Sequence, residues 1–225
     1  MNDLFLKQLV TPQNIVMDMM LNLNYASFKL PRGGGKDFLF SNYALMTATS
    51  MPDTRVLITT PSYAQAKSNF ITIYDQLVDM KVFKFSSSIG YYASFLTLPN
   101  GSKIKAEANQ DHMVSESGIR QDIILVNEAN SIDGDWLYKL LKCVEAGLYK
   151  KVFLIYSGDS IKHMVSSNFI NVIEANENFS SASFGYKAFP EGFFGESVIE
   201  AMSEKPEKMD KDDEFGLGGF PFCMV

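Results

Sequence analysis

The chain has 225 residues, 46% of them hydrophobic, and a formal net charge of −6. That apolar content over that length buries a substantial core, which excludes an intrinsically disordered chain and makes one domain plus a short appendage the default. The negative charge excludes a surface that coats nucleic acid non-specifically, so any DNA contact is local. The two cysteines, Cys143 and Cys223, match neither a zinc spacing nor a disulfide framework. With no basic-then-apolar leader and no membrane-length apolar run, the sequence predicts a soluble, cytosolic protein.

In chain order, Thr11-Pro12 reads as an N-cap with proline at the first helical position, followed by Ile15, Met19 and Leu23 at helical spacing, which predicts a helix over about 12–23. "YASFKL" (25–30) reads as a strand ending at Pro31, and "DFLFSNYALMTATS" after Lys36 as a helix. "RVLITT" (55–60) and the helical "SYAQAKSNFITIYDQLVDM" form a second strand–helix unit, with Thr60-Pro61 repeating the cap signal. "YYASFLTLPNGSKIKAEAN" (91–109) predicts an inserted hairpin turning at Asn100-Gly101. "DIILVNEAN" (122–130) and "KKVFLIYSGDS" (150–160) are apolar runs stopping at polar residues, on either side of a helical "DGDWLYKLLKCVEAG". In a parallel sheet those run ends share one edge, where ligands bind in open α/β folds. "SASFGYKAF" (181–189) reads as a further strand, "ESVIEAMSEK" as a short helix, and the tail (204–214) as a solvated charge run.

The stretch "KLPRGGGKDFLF" (29–40) lies between that first strand and its helix, the order a phosphate loop requires. Backbone amides of Gly33, Gly34 and Gly35 can point at phosphate oxygens, and Lys36 supplies a mobile charge for the β- and γ-phosphates. The motif departs from the strict pattern twice, with Leu30 where the first glycine belongs and Asp37 where a hydroxyl normally holds Mg²⁺. Asn127 stands where a strand-end acid normally holds the metal's water shell. Asp37 adds one negative charge and Asn127 removes one, so the pair reads as an exchange of metal ligands. Two bland readings stand beside it: a plain glycine turn, or a site that no longer hydrolyses, with Asp37 capping the helix. Glu128, at the end of a buried strand, is the candidate general base for orienting and deprotonating a water. Ser157, Gly158 and Asp159 form a polar turn able to sense a γ-phosphate, although Ser-Gly-Asp is also an ordinary turn signal.

This order of elements resembles the N-terminal ATPase half of the large terminase subunits of tailed bacteriophages. The likeness rests on "TPQNIVMDMML", "LPRGGGKDF", "RVLITTPSYAQAKSNF", "LTLPNGSKIKAEA", "SGIRQDIILVNEAN", "LIYSGDS" and "FPEGFFGESVIEAMSEKPEKMDKDDEF", and covers nearly the whole chain in outline. It implies an α/β, RecA-like P-loop NTPase, with a mostly parallel central sheet flanked by helices and an inserted β-hairpin, that hydrolyses ATP with Mg²⁺ to drive viral DNA into a procapsid. Carried over by position, Gly33, Gly34, Gly35 and Lys36 bind phosphates, Asp37 and Asn127 are the metal positions, Glu128 is the catalytic carboxylate and Gln13 selects adenine. Arg32 reaches the γ-phosphate, Ser157 to Asp159 couple hydrolysis to movement, and Arg120 is the candidate for an arginine acting across a subunit interface. Implied partners are double-stranded viral DNA, a portal protein, a small terminase subunit and further copies in a ring on the procapsid, in the host cytoplasm.

The chain stops where that family continues into a nuclease domain, so the expectation is an ATPase domain over 1–190, a C-terminal segment over 191–225 and no nuclease activity. The alternatives are a helicase-like or DNA-repair P-loop ATPase, which needs a second RecA-like half, and a non-catalytic relative binding nucleotide or DNA for assembly. Lys67, Lys103 and Lys105 could touch DNA phosphates but read first as solvated surface; His112 and His163 lack metal-ligand spacing; Trp136 reads as core.

Overall fold

The computed structural model describes residues 9–81, 85–89, 93–109, 121–157, 173 and 175–194. Eight strands form one sheet in the order β3-β4-β5-β2-β6-β7-β1-β8. They are β1 (Tyr25–Lys29), β2 (Arg55–Thr60), β3 (Ser86–Ile89), β4 (Ala93–Thr97), β5 (Lys103–Ala108), β6 (Ile123–Asn127), β7 (Lys151–Tyr156) and β8 (Ser180–Ser183). From β5 to β8 every pairing is parallel, and β3 and β4 extend the sheet antiparallel. The helices are α1 (Thr11–Asn22), α2 (Lys36–Ser50), α3 (Tyr63–Asp79) and α4 (Gly134–Glu145). This is the mostly parallel, helix-flanked α/β sheet with an inserted hairpin that the sequence predicts.

The apolar runs of the central strands follow from burial on both faces. Side chains alternate along a strand, so in β6 Ile123 and Leu125 join one core while Ile124 and Val126 join the other, and in β7 Phe153 and Ile155 oppose Val152, Leu154 and Tyr156. The first core is covered by α1, α2 and α3 through residues such as Met17, Leu39, Phe40, Phe70 and Ile73. The second is covered by α4 through Trp136, Leu137, Leu140 and Val144, which places Trp136 in the core as expected. No helix among the described residues is long and apolar enough to cross a membrane.

Two helix starts differ from the sequence reading. At α1 the cap is Val10, one residue earlier than Thr11, and the Gln13 side chain closes the end by accepting from the Val10 N–H at 3.1 Å. At α3 the cap is Ser62, whose hydroxyl accepts from Gln65 N, because Thr60 is still the last residue of β2. Strand β3, "SSSI", carries no alternation and all four residues are exposed, so only its pairing with β4 reveals it. The helix expected from "ESVIEAMSEK" and the charged tail lie outside the described residues, as do His112, His163 and Cys223.

Helix α1 is fastened at both ends. It has no basic residue in its last turn, and Lys151 of β7 supplies the missing charge by donating from Nζ to the carbonyls of Met20, Leu21 and Leu23 at 2.8–2.9 Å. The Tyr43 hydroxyl donates to Met20 O at 3.1 Å. Burial pushes the Tyr43 hydroxyl well above its ordinary pKa and lowers that of the Lys151 ammonium. Both groups act here as donors.

Candidate nucleotide-binding site

The glycine loop joins β1 to α2 at the C-terminal edge of the parallel strands. Gly35 caps α2 with φ 76 and ψ 28, a left-handed conformation, and an added Cβ would run into the Gln13 amide, so a side chain is excluded on both grounds. At Gly34 an added Cβ would lie 2.9 Å from Pro31 O, across the tight turn closed by Gly34 N–H donating to that oxygen at 3.0 Å. The amides of Gly33, Gly35, Lys36 and Asp37 make no hydrogen bond to another described residue. They stand at the mouth of a 15-residue helix, an arrangement that attracts anions.

Strands β7 and β6 bring the rest of the site to the same edge. Lys36 Nζ lies 3.4 Å from Glu128 Oε1, with Lys36 only 7% exposed. The other carboxylate oxygen of Glu128, Oε2, accepts from Ser157 Oγ at 3.3 Å. Glu128 itself adopts φ 50 and ψ 48 as the chain leaves β6 for a short 3₁₀ turn, Ala129–Ser131. That conformation is uncommon for a residue with a side chain, and the surroundings hold it: Asn127 Oδ1 accepts from Glu128 N at 3.0 Å. The glycine loop is tied to β7 as well, through Leu30 N–H donating to Tyr156 O at 3.0 Å.

The two departures from the usual motif meet one another. Asn127 Nδ2 donates to Asp37 Oδ1, so the residue expected to be a hydroxyl is an exposed carboxylate, and the residue expected to be a carboxylate is its amide donor. Asn127 thus holds the Glu128 amide with its Oδ1 and the Asp37 carboxylate with its Nδ2. No group of three or more His, Cys, Asp or Glu among the described residues forms a metal cage. Mg²⁺ needs none, since it binds through one or two carboxylates, waters and substrate phosphates. Asp37, exposed beside the free amides and with its second carboxylate oxygen outside the Asn127 bond, fits that need.

Gln13 lies against the glycine loop. It is 3% exposed, its Oε1 accepts from Val10 N, and its Nε2 donates to Gly34 O at 2.9 Å. As placed, it braces the glycine loop, with one donor and one lone pair of its amide in use. Arg32 is exposed at the loop's start. Gly158, Asp159 and Arg120 lie outside the described residues. Of the lysines considered for DNA, Lys67 and Lys103 are exposed, whereas Lys105 is half-buried, paired with Glu107 and set over the Phe95 ring.

Sequence reasoning passed over Asn130. It is 3% exposed, its Nδ2 donates to Ser157 O at 3.1 Å, and its Oδ1 has no partner among the described residues. It links the turn after Glu128 to the end of β7. The only signal available was a polar residue two places after the acid, which an ordinary turn shows equally well.

Superposition on solved structures decides the fold. The chain matches the large terminase of bacteriophage HK97 with a TM-score of 0.66 at 15% identity, over 90% of this chain and 48% of that one. The fold is that of a large-terminase ATPase domain. The large terminase of a thermophilic bacteriophage, in complex with ADP, matches with a TM-score of 0.62 at 9% identity, covering 86% of this chain and 49% of that one. The ATPase domain of the Thermus phage P74-26 large terminase matches with a TM-score of 0.57 at 14% identity, covering 81% and 84%. This chain therefore spans about half the length of the first two terminases and most of the length of the isolated ATPase domain. No protein-family model and no curated protein sequence matches it.

Proposed function

We propose that this chain is an ATP-hydrolysing motor domain that serves viral DNA packaging. The observation that carries the reading is the meeting of Lys36 with Glu128 at 3.4 Å, at the mouth of a helix whose first amides are unpaired, inside a fold shared with terminase ATPase domains. Two structures of the thermophilic bacteriophage's terminase are complexes with ADP and with ATP-γ-S, which supports ATP as the ligand.

The chemistry follows from the placement. Triphosphate oxygens take up the free amides of the glycine loop and draw Lys36 toward the β- and γ-phosphates. Glu128, released from its ion pair, keeps one oxygen on Ser157 and turns the other toward a water. The water oxygen bonds to the γ-phosphorus as the bond to the bridging oxygen breaks, the electron pair leaves with ADP, and the water's proton passes to Glu128. Asp37, oriented by Asn127, would hold Mg²⁺, which would supply neutralising charge to the phosphates. Arg32 approaches the γ-phosphate from the loop, and Ser157 with Gly158 and Asp159 reports its loss to the rest of the motor. Arg120 acts across the contact between copies in a ring. The partners are double-stranded DNA, a portal protein and a small terminase subunit.

The test is Glu128→Gln, which keeps size and polarity but removes the base. Hydrolysis, assayed with DNA and procapsids present, falls about 10²- to 10⁴-fold while ATP affinity is retained. Turnover in that variant equal to the unaltered chain means that Glu128 is not the base, and no turnover in either leaves a nucleotide-binding assembly protein as the better reading.

A further inference from the structure

The glycine loop has an aromatic wall that none of the roles above uses. After β8 the chain passes through Tyr186, Phe189, Phe193 and Phe194, whose rings touch with centroids 5.0–5.1 Å apart. A Cβ placed on Gly34 would lie 3.2 Å from Phe189 Cζ, and one placed on Gly33 would lie 3.6 Å from Phe194 Cδ1. Phe189 is the buried member at 7% exposure, while Phe193 and Phe194 are only half-buried.

The position of this wall is set by the sheet. Strand β8 pairs parallel with β1 on the side away from β7, and Phe184 N–H donates to Lys29 O, so the aromatic segment emerges at the same edge as the glycine loop. It stands on the opposite flank of the loop from Glu128 and Ser157, which follow β6 and β7. With the terminal phosphate toward Lys36 and Glu128, the flank past Gly33, toward these rings, is left for the nucleoside. Gln13, the polar alternative, has both ends of its amide engaged.

We propose that Phe194, backed by Phe193 and Phe189, is the stacking platform for the nucleotide's purine base. The proposal rests on the phosphate-loop reading of Lys36 and extends it to the other end of the ligand. An aromatic face stacks on any base, so this platform supplies affinity without choosing adenine over guanine. Leucine at 194 preserves the packing against Gly33 but offers no π-face, and tyrosine preserves both.

Calorimetric titration with ATP, GTP and inorganic tripolyphosphate, each with Mg²⁺, tests this. Phe194→Leu weakens ATP and GTP binding about tenfold and leaves tripolyphosphate affinity unaltered, while Phe194→Tyr restores both nucleotides. Fluorescence of 2-aminopurine riboside triphosphate is quenched on binding to the unaltered chain and recovers in the Phe194→Leu complex. Equal weakening of ATP and tripolyphosphate would mean that the ring only shapes the glycine loop, and unchanged ATP binding in Phe194→Leu overturns the platform outright. Lys36→Ala separates the two claims, because it weakens all three ligands if the phosphate loop is real and none of them if it is not.

Discussion

Two glycine turns in this molecule look alike in sequence and differ in what they do with their polar groups. The turn at Asn100-Gly101 is closed upon itself and its neighbours: Gly101 N–H donates to Leu98 O, Ser102 N–H to Asn100 Oδ1, and Asn100 Nδ2 to Ala48 O. Ser102 Oγ donates to Met51 O and accepts from Thr54 N, so the turn pins the C-terminus of α2 to the hairpin. The loop at 33–35 closes one bond of its own among the described residues, Gly34 N–H to Pro31 O, and the amides of Gly33 and Gly35 make none. A turn that satisfies itself is structural, whereas donors left unpaired at the mouth of a helix are available to water or to an anion.

That contrast can be broken most forcefully at Lys36. Lys36→Ala removes a charged donor from a phosphate and should weaken ATP binding about 100-fold, with little change in thermal unfolding. The opposite pattern, an altered melting temperature with intact ATP affinity, would make the two turns equivalent. Next in size is Gly101→Ala, where φ is 84 and the new Cβ collides with the Asp53 carboxylate. Stability should fall by about 1–3 kcal/mol in denaturant titration while nucleotide affinity holds. Smallest is Asn100→Ala, which deletes the bonds to Ala48 and Ser102 and should reduce stability by about 1 kcal/mol, again sparing the ligand. A loss of ATP binding in either hairpin variant would show that the closed turn serves the site as well.

The same contrast explains what could be read in the sequence. Strand–loop–helix order around Gly33, Gly34, Gly35 and Lys36, and the two-sided burial of β6 and β7, are local patterns, so they were legible residue by residue. The hairpin was legible because Asn-Gly at a turn has a local conformational cause. Asn130 and Phe194 were not, because their meaning lies in partners far along the chain: Ser157 for one and Gly33 for the other. Gln13 stands out in the sequence only through the family resemblance, and its engagement with Gly34 depends on how α1 docks, which no window of sequence contains. The compensating charges of Asp37 and Asn127 were legible in the sequence, but not their contact. Their mutual bond gives that pairing a geometry. The described packing also continues to Phe194, past residue 190, where Phe193 and Phe194 lie against the first core.

Lys151 has a consequence at a distance. Its ammonium grips the tail of α1 from the start of β7, while the head of α1 holds Gly34 through Gln13 and the end of β7 holds Leu30. Helix and strand thus form two struts of a triangulated frame, roughly 18 Å long by the rise of a 12-residue helix, with the glycine loop at one apex. A push on that loop cannot be absorbed by bending one strut alone. It must either break the Gln13 amide contact or drive the helix axially against a charged pivot on the far rim of the sheet.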